Sequence, residues 1–137
     1  MNPCRKTSMP LPRDMETELG TILNGTRKAK GLPCLQQSKS LDHIAGMQAQ
    51  YMSAQGKIER AFEVDDQGKT PELQEILNSD FVGEVVHVGS TTLEIHLETL
   101  KSDSAIVLST DFNEFGISVA KGNDGSYYMC LLFRRAE

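Results

Sequence analysis

Cysteine is scarce in this 137-residue chain, which has only Cys4, Cys34 and Cys130. Three are too few for a disulfide framework, and the odd number leaves at least one thiol unpaired. Long apolar runs are missing too. None approaches the roughly 18 residues that a membrane span needs, and none follows the charges of Arg5 and Lys6 as in a signal peptide. These absences predict a cytoplasmic protein, or a secreted one if a leader was removed ahead of Met1. Basic charge is not in excess. A net charge of −5 and a pI near 5.2 argue against a general binder of nucleic acid or anionic membrane. The basic residues Arg5, Lys6, Arg13, Arg27, Lys28, Lys30, Arg134 and Arg135 form short clusters that read as a solvated face. There is no G-x-S-x-G, no histidine close in sequence to a cysteine, and no glycine-rich phosphate loop.

What is present resembles an ordinary soluble domain, with 39% apolar and 24% charged residues. A single domain of this length buries roughly two thirds of its unfolded surface, enough to fold without metal or disulfide. Residues 1–13, with Pro3, Pro10 and Pro12 and no periodicity, read as a tail, and 14–137 as the domain. Asp14 is a candidate N-cap for a first helix with the stripe Met15, Leu19, Ile22 and Leu23, stopped at Gly31. The sequon Asn24-Gly25-Thr26 falls inside that helix and reads as structural. Ser40 is the expected cap of a second helix, with Leu41, Ile44, Ala45, Gln48 and Met52 inward and fraying near Gly56.

An acidic, turn-rich loop spans 63–70, and Pro71 opens a short helix over 71–78. Residues 81–89 are β-branched and read as a strand. From Ser90 to Lys101 the pattern is helical, with Leu93, Leu97 and Leu100 expected to face the core. Residues 114–121 and 126–135 form two strands around the hairpin turn Gly122-Asn123-Asp124-Gly125. Cys34, Cys130, Met15, Met47, Met52 and Met129 are expected to pack as core residues. Periodicity alone gives an α+β fold.

Several of these segments share a pattern. Asn24, Arg27, Gly31, Leu32 and Leu35 follow N-x-x-R-x-x-x-G-L-x-x-L. Asp111-Phe112-Asn113-Glu114-Phe115-Gly116-Ile117-Ser118-Val119-Ala120 follows D-F-T-E-x-G-x-G-x-A, and Gly83-Glu84 keeps half of G-E-N-I. The chain therefore resembles the CAP superfamily of cysteine-rich secretory, venom-allergen and pathogenesis-related proteins over about residues 14–135. That resemblance implies a three-layer α/β/α sandwich around a small antiparallel sheet.

It also implies a cleft in which two histidines and two acids can hold a divalent ion. The corresponding positions here are Arg60, Glu84, Leu100 and Asp103. Only Glu84 keeps the family's residue, and a guanidinium has no lone pair to give a cation. No metal or other cofactor is expected. Arg60 is instead expected to pair with Glu84 or Asp103 and to fill the site with a salt bridge.

The resulting expectation is a non-catalytic binding module for a protein partner or a small apolar ligand such as a sterol or fatty acid, as a monomer or weak dimer. Met9, Met15, Met47, Met52 and Met129 are the apolar residues such a ligand would meet if they did not simply pack the core. The alternative is a metal-dependent, hydrolase-like enzyme with a relocated site around Glu84, His96 and Asp103. The latter two are seven apart and able to share a helix face. Glu84 and His87 are three apart on a strand, so they are expected on opposite faces.

Overall fold

A computed structural model describes residues 11–59 and 82–135. Helix α1 (Pro12–Ala29) begins with proline in its first turn, where the missing N–H is no loss because no intrahelical acceptor awaits it. The helix thus starts two residues before Asp14, which lies inside the first turn rather than capping it. Gly31 ends it with φ 76°, a left-handed conformation that side chains disfavour. A two-residue strand β1 (Gln36–Gln37) follows, then α2 (Lys39–Gln55). Ser38, not Ser40, caps α2, accepting from the Leu41 N–H at 3.3 Å. Gly56 closes it with φ 74°.

The remaining elements are β2 (Val82–Gly89), α3 (Thr92–Val107), β3 (Glu114–Lys121) and β4 (Tyr127–Arg134). Thr91 caps α3 by accepting from the Glu94 N–H, while the Glu94 carboxylate reaches back to the Ser90 N–H. Two orphan donors are satisfied together in this way. The short helix expected over 71–78 lies outside the described residues.

The sheet order is β1-β3-β4-β2. β4 runs antiparallel to both neighbours, and β1 lies parallel to β3, so the sheet is mixed rather than purely antiparallel. β4 sits at the centre and is buried from Tyr127 to Phe133. Its side chains alternate between two cores, as a strand of period two must. Tyr127, Met129, Leu131 and Phe133 join Met15, Leu19 and Leu23 of α1 and Ile95 and Val107 of α3. Tyr128, Cys130 and Leu132 join Leu41, Ile44, Ala45, Ala49 and Met52 of α2. The result is the expected α/β/α sandwich, with α1 and α3 on one face and α2 on the other. Gly116 sets the spacing of the α2 layer. A Cβ there would stand 2.3 Å from Leu41, so only glycine lets the helix lie this close to β3.

The largest departure from expectation is in α3. Its buried residues are Ile95, Thr99, Asp103 and Val107. Leu93 and Leu97 are 60% and 55% exposed, and only Leu100 packs partly against the core. The helix is rotated away from its leucine stripe because its polar inward residues are satisfied. Thr99 donates its hydroxyl to the Ile95 carbonyl at 2.8 Å, and Asp103 is bonded across to β2.

Candidate functional site

The opening motif is a clasp. Asn24 lies on α1, and its side-chain amide brackets the Leu35 backbone: Oδ1 accepts from the N–H at 2.8 Å, and Nδ2 donates to the carbonyl at 3.1 Å. It thereby mimics a neighbouring strand. One turn on, Arg27 is 1% exposed, not part of a solvated face as its basic neighbours suggested. Its Nε donates to the Pro33 carbonyl at 3.0 Å, and its Nη1 to the Val107 and Ser109 carbonyls at 2.8 Å each. Val107 is the last residue of α3, whose terminal carbonyls lack intrahelical partners and carry the negative end of the dipole. One guanidinium therefore ties together the ends of both helices on this face. The sequence signal was available: an arginine at helical spacing from Met15, Leu19 and Leu23 belongs to the inward stripe.

Among the described residues, the positions that resemble the family's site are not brought together. Glu84 is 1% exposed and lies on the α2 side of β2, with Cys130 Sγ 4.0 Å from its Oε2. Burial, and then the Glu84 carboxylate, push the Cys130 thiol well above its ordinary pKa, so it is a packing residue and not a nucleophile. Asp103 lies on the other side of the sheet, where its Oδ2 is 2.8 Å from His87 Nε2. Glu84 and His87 thus point to opposite faces, as their spacing predicts. Leu100 is on α3, half-buried against the α1–α3 core, and Arg60 lies outside the described residues. Its two expected partners are on opposite sides of the sheet, and Asp103 is already engaged by His87.

The relocated set does not assemble either. Glu84 lies across the sheet from Asp103. His96 lines a cavity of about 20 Å³ between α1, α3 and the sheet, with Leu19, Leu23, Thr99, Val107, Ile117, Met129 and Leu131. Burial lowers its pKa. Among the described residues, no group of three or more His, Cys, Asp or Glu side chains is placed to hold a metal ion. The donor set does not fit a divalent ion: one acid faces each side of the sheet, a leucine offers nothing, and an arginine only donates.

Elsewhere, Met15, Met52 and Met129 are buried and Met47 packs against the α2 core, as core methionines should. Cys34 is exposed, contrary to the packing role expected of it. An open groove of about 260 Å³ runs between α1 and the sheet edge, lined by Thr17, Gly20, Thr21, Asn24, Leu35, Gln37 and Phe115. No helix among the described residues is long and apolar enough to cross a membrane.

No curated protein matches the sequence, but solved structures share its fold. An outer surface protein of Borrelia burgdorferi superposes with a TM-score of 0.77 at 19% identity, covering 93% of this chain and 97% of its own. A cysteine-rich secretory protein of Staphylococcus aureus gives 0.68 at 17% identity, and there the match covers 93% of this chain but 40% of that one. A venom allergen-like protein of Schistosoma mansoni gives 0.58 at 12% identity, covering 92% and 89%. Residues 21–133 match the family described as CAP, the cysteine-rich secretory protein family. With the clasp, the layered sheet and the closing hairpin all in place, this chain belongs to the CAP family.

Proposed function

We propose that this CAP domain is a non-catalytic binding module that recognises a protein partner, with the outer face of α3 as its contact surface. The observation that carries this reading is the outward leucine pair. Leu93 and Leu97 sit one turn apart and are more than half exposed, while Thr99 and Asp103 take the inward positions. Large exposed apolar side chains gathered on one element mark contact surfaces more often than scattered ones do. The division of Glu84 and Asp103 between two faces of the sheet supports the non-catalytic part of the reading.

A small apolar ligand finds little support in the enclosed space between α1, α3 and the sheet. The cavity there, about 20 Å³, suits at most one water, whereas ligand pockets run to roughly 300–1,000 Å³. Native mass spectrometry of the protein purified gently from its own host tests the proposal. The expected result is a stoichiometric protein complex that a Leu93→Ser/Leu97→Ser variant, folded and equally stable, no longer forms. A bound mass of several hundred daltons would overturn it in favour of a lipid carrier. A bound metal would revive the relocated enzyme site.

A further inference from the structure

The sheet covers one of its edges unevenly. β1 pairs only with Glu114 and Phe115 of β3, so among the described residues the outer side of β3 is an edge from Ile117 onward. Edge strands offer rows of N–H and C=O groups on which another chain can build. Here two successive N–H groups on that side, those of Ile117 and Val119, are taken. Ile117 donates to Asp42 Oδ1 at 2.8 Å. Val119 donates to Glu16 Oε2 at 2.7 Å, and the same oxygen accepts from Ser118 Oγ at 3.2 Å.

The two acids come from opposite layers, Asp42 from the first turn of α2 and Glu16 from α1. Gln37 holds the Asp42 carboxylate in place, its Nε2 lying 3.2 and 3.1 Å from the two oxygens. A carboxylate is an acceptor only. It satisfies an edge N–H through a strong charge-assisted bond yet presents no donor from which a ladder could continue.

We infer that Glu16 and Asp42 are guards that keep β3 from pairing with β3 of a second copy of this chain. The bare edge is self-complementary. A two-fold axis at Ser118 sets Ile117 opposite Val119 of the other copy, and in an antiparallel ladder such residues exchange both N–H and C=O bonds. With the guards in place, that pairing strips each carboxylate of its N–H donor and crowds like charges at one interface. With the guards removed, the ladder closes unopposed.

The test compares two double variants. Glu16→Ala/Asp42→Ala removes the acceptors, while Glu16→Gln/Asp42→Asn keeps a carbonyl oxygen at each position. Sedimentation velocity over a wide concentration range should show the alanine variant passing from monomer to dimer, with the amide variant, which keeps the acceptors but loses the charge, dimerising less. In the dimer, hydrogen exchange at Ile117 and Val119 should be slow, and it should become fast on dilution. A folded alanine variant that stays monomeric would overturn the inference. So would dimerisation of the amide variant to the same extent, or a dimer whose Ile117 and Val119 amides exchange freely. Should the double alanine variant not fold, Glu16→Ala alone opens only Val119. Faster exchange there than in wild type, with Ile117 unchanged, is then expected, and unchanged exchange at Val119 counts against the guard.

Discussion

Helices α1 and α3 lie side by side on the same face of the sheet, yet they relate to their leucines in opposite ways. In α1 the stripe Met15, Leu19 and Leu23 faces the core, and the next inward position belongs to a charge, Arg27. In α3 the leucines at 93 and 97 turn outward, while a threonine and an aspartate go in. Both helices bury polar groups, and both do so at no loss because each group finds partners. The difference lies in what the leftover apolar residues do. α1 commits Met15, Leu19 and Leu23 to the core and leaves only Ile22 of its expected stripe half-buried; α3 keeps two leucines for the surface. A leucine stripe fixes a helix's orientation only where no well-partnered polar residue competes for the same side.

Arg27 joins the two helices, so its removal should break the comparison most severely. Arg27→Met keeps the apolar stem and deletes the donors to the Pro33, Val107 and Ser109 carbonyls. A buried carbonyl left without a donor, as at Val107, costs about 1–3 kcal/mol and the part-buried ones at Pro33 and Ser109 less, so urea denaturation should show a loss of about 3–5 kcal/mol in all. Arg27→Lys should recover only part of this, since a point-like ammonium does not reproduce the guanidinium fork. Truncating the leucines separates the helices next. Leu19→Ala should cost about 2–5 kcal/mol, while Leu97→Ala should stay within about 0.5 kcal/mol of wild type. Equal losses would mean that α3 is oriented by its leucines after all. Asp103→Ala removes the partner of a buried His87 and should cost about 1–3 kcal/mol, with the fastest-exchanging amides appearing in the last turn of α3.

The same contrast explains what was legible in the sequence. The first stripe, the stop at Gly31 and the hairpin could be read because turn chemistry and periodicity agree there with the tertiary packing, whereas the sandwich followed from the family resemblance and periodicity alone reached only α+β. Gly116 could be matched to a motif, but its reason, the close approach of Leu41, belongs to a contact between distant segments. The orientation of α3 could not be read. The hydrogen bonds that allow Thr99 and Asp103 inside are made to Ile95 and His87, and only the second of these depends on the fold. Strand β1 escaped notice because two glutamines carry no β signal; its pairing is imposed by the Asn24 clasp on Leu35. For the candidate site, alternation along β2 correctly separated Glu84 from His87. His96 and Asp103 both belong to the inward side of α3, but Asp103 leaves helical geometry at φ −132° and ψ 26° and bonds to His87, while Glu84 lies across the sheet. The mapped cleft did not converge because one acid sits on a strand face and the other on a helix across the sheet.

The smallest effect concerns His96, the imidazole that α3 turns toward α1. Burial holds its pKa below the ordinary value of 6.5, so the folded state prefers the neutral ring. Above pH 6.5 the ring is neutral in both states and has no effect on the pH dependence of stability. As pH falls through 6.5 the unfolded chain takes up the proton first, and stability drops until the folded-state pKa is passed. Below that point the loss from this residue is complete and constant. His96→Leu should therefore flatten the fall in unfolding free energy on acidification, measured by urea titrations at steps from neutral to mildly acidic pH. His87 supplies the control, because it faces a carboxylate instead of an apolar cavity. Removing it should leave the His96 part of the slope intact. A variant without His96 that loses stability on acidification as steeply as the wild type would mean that α3 meets the core less closely at this turn than α1 does.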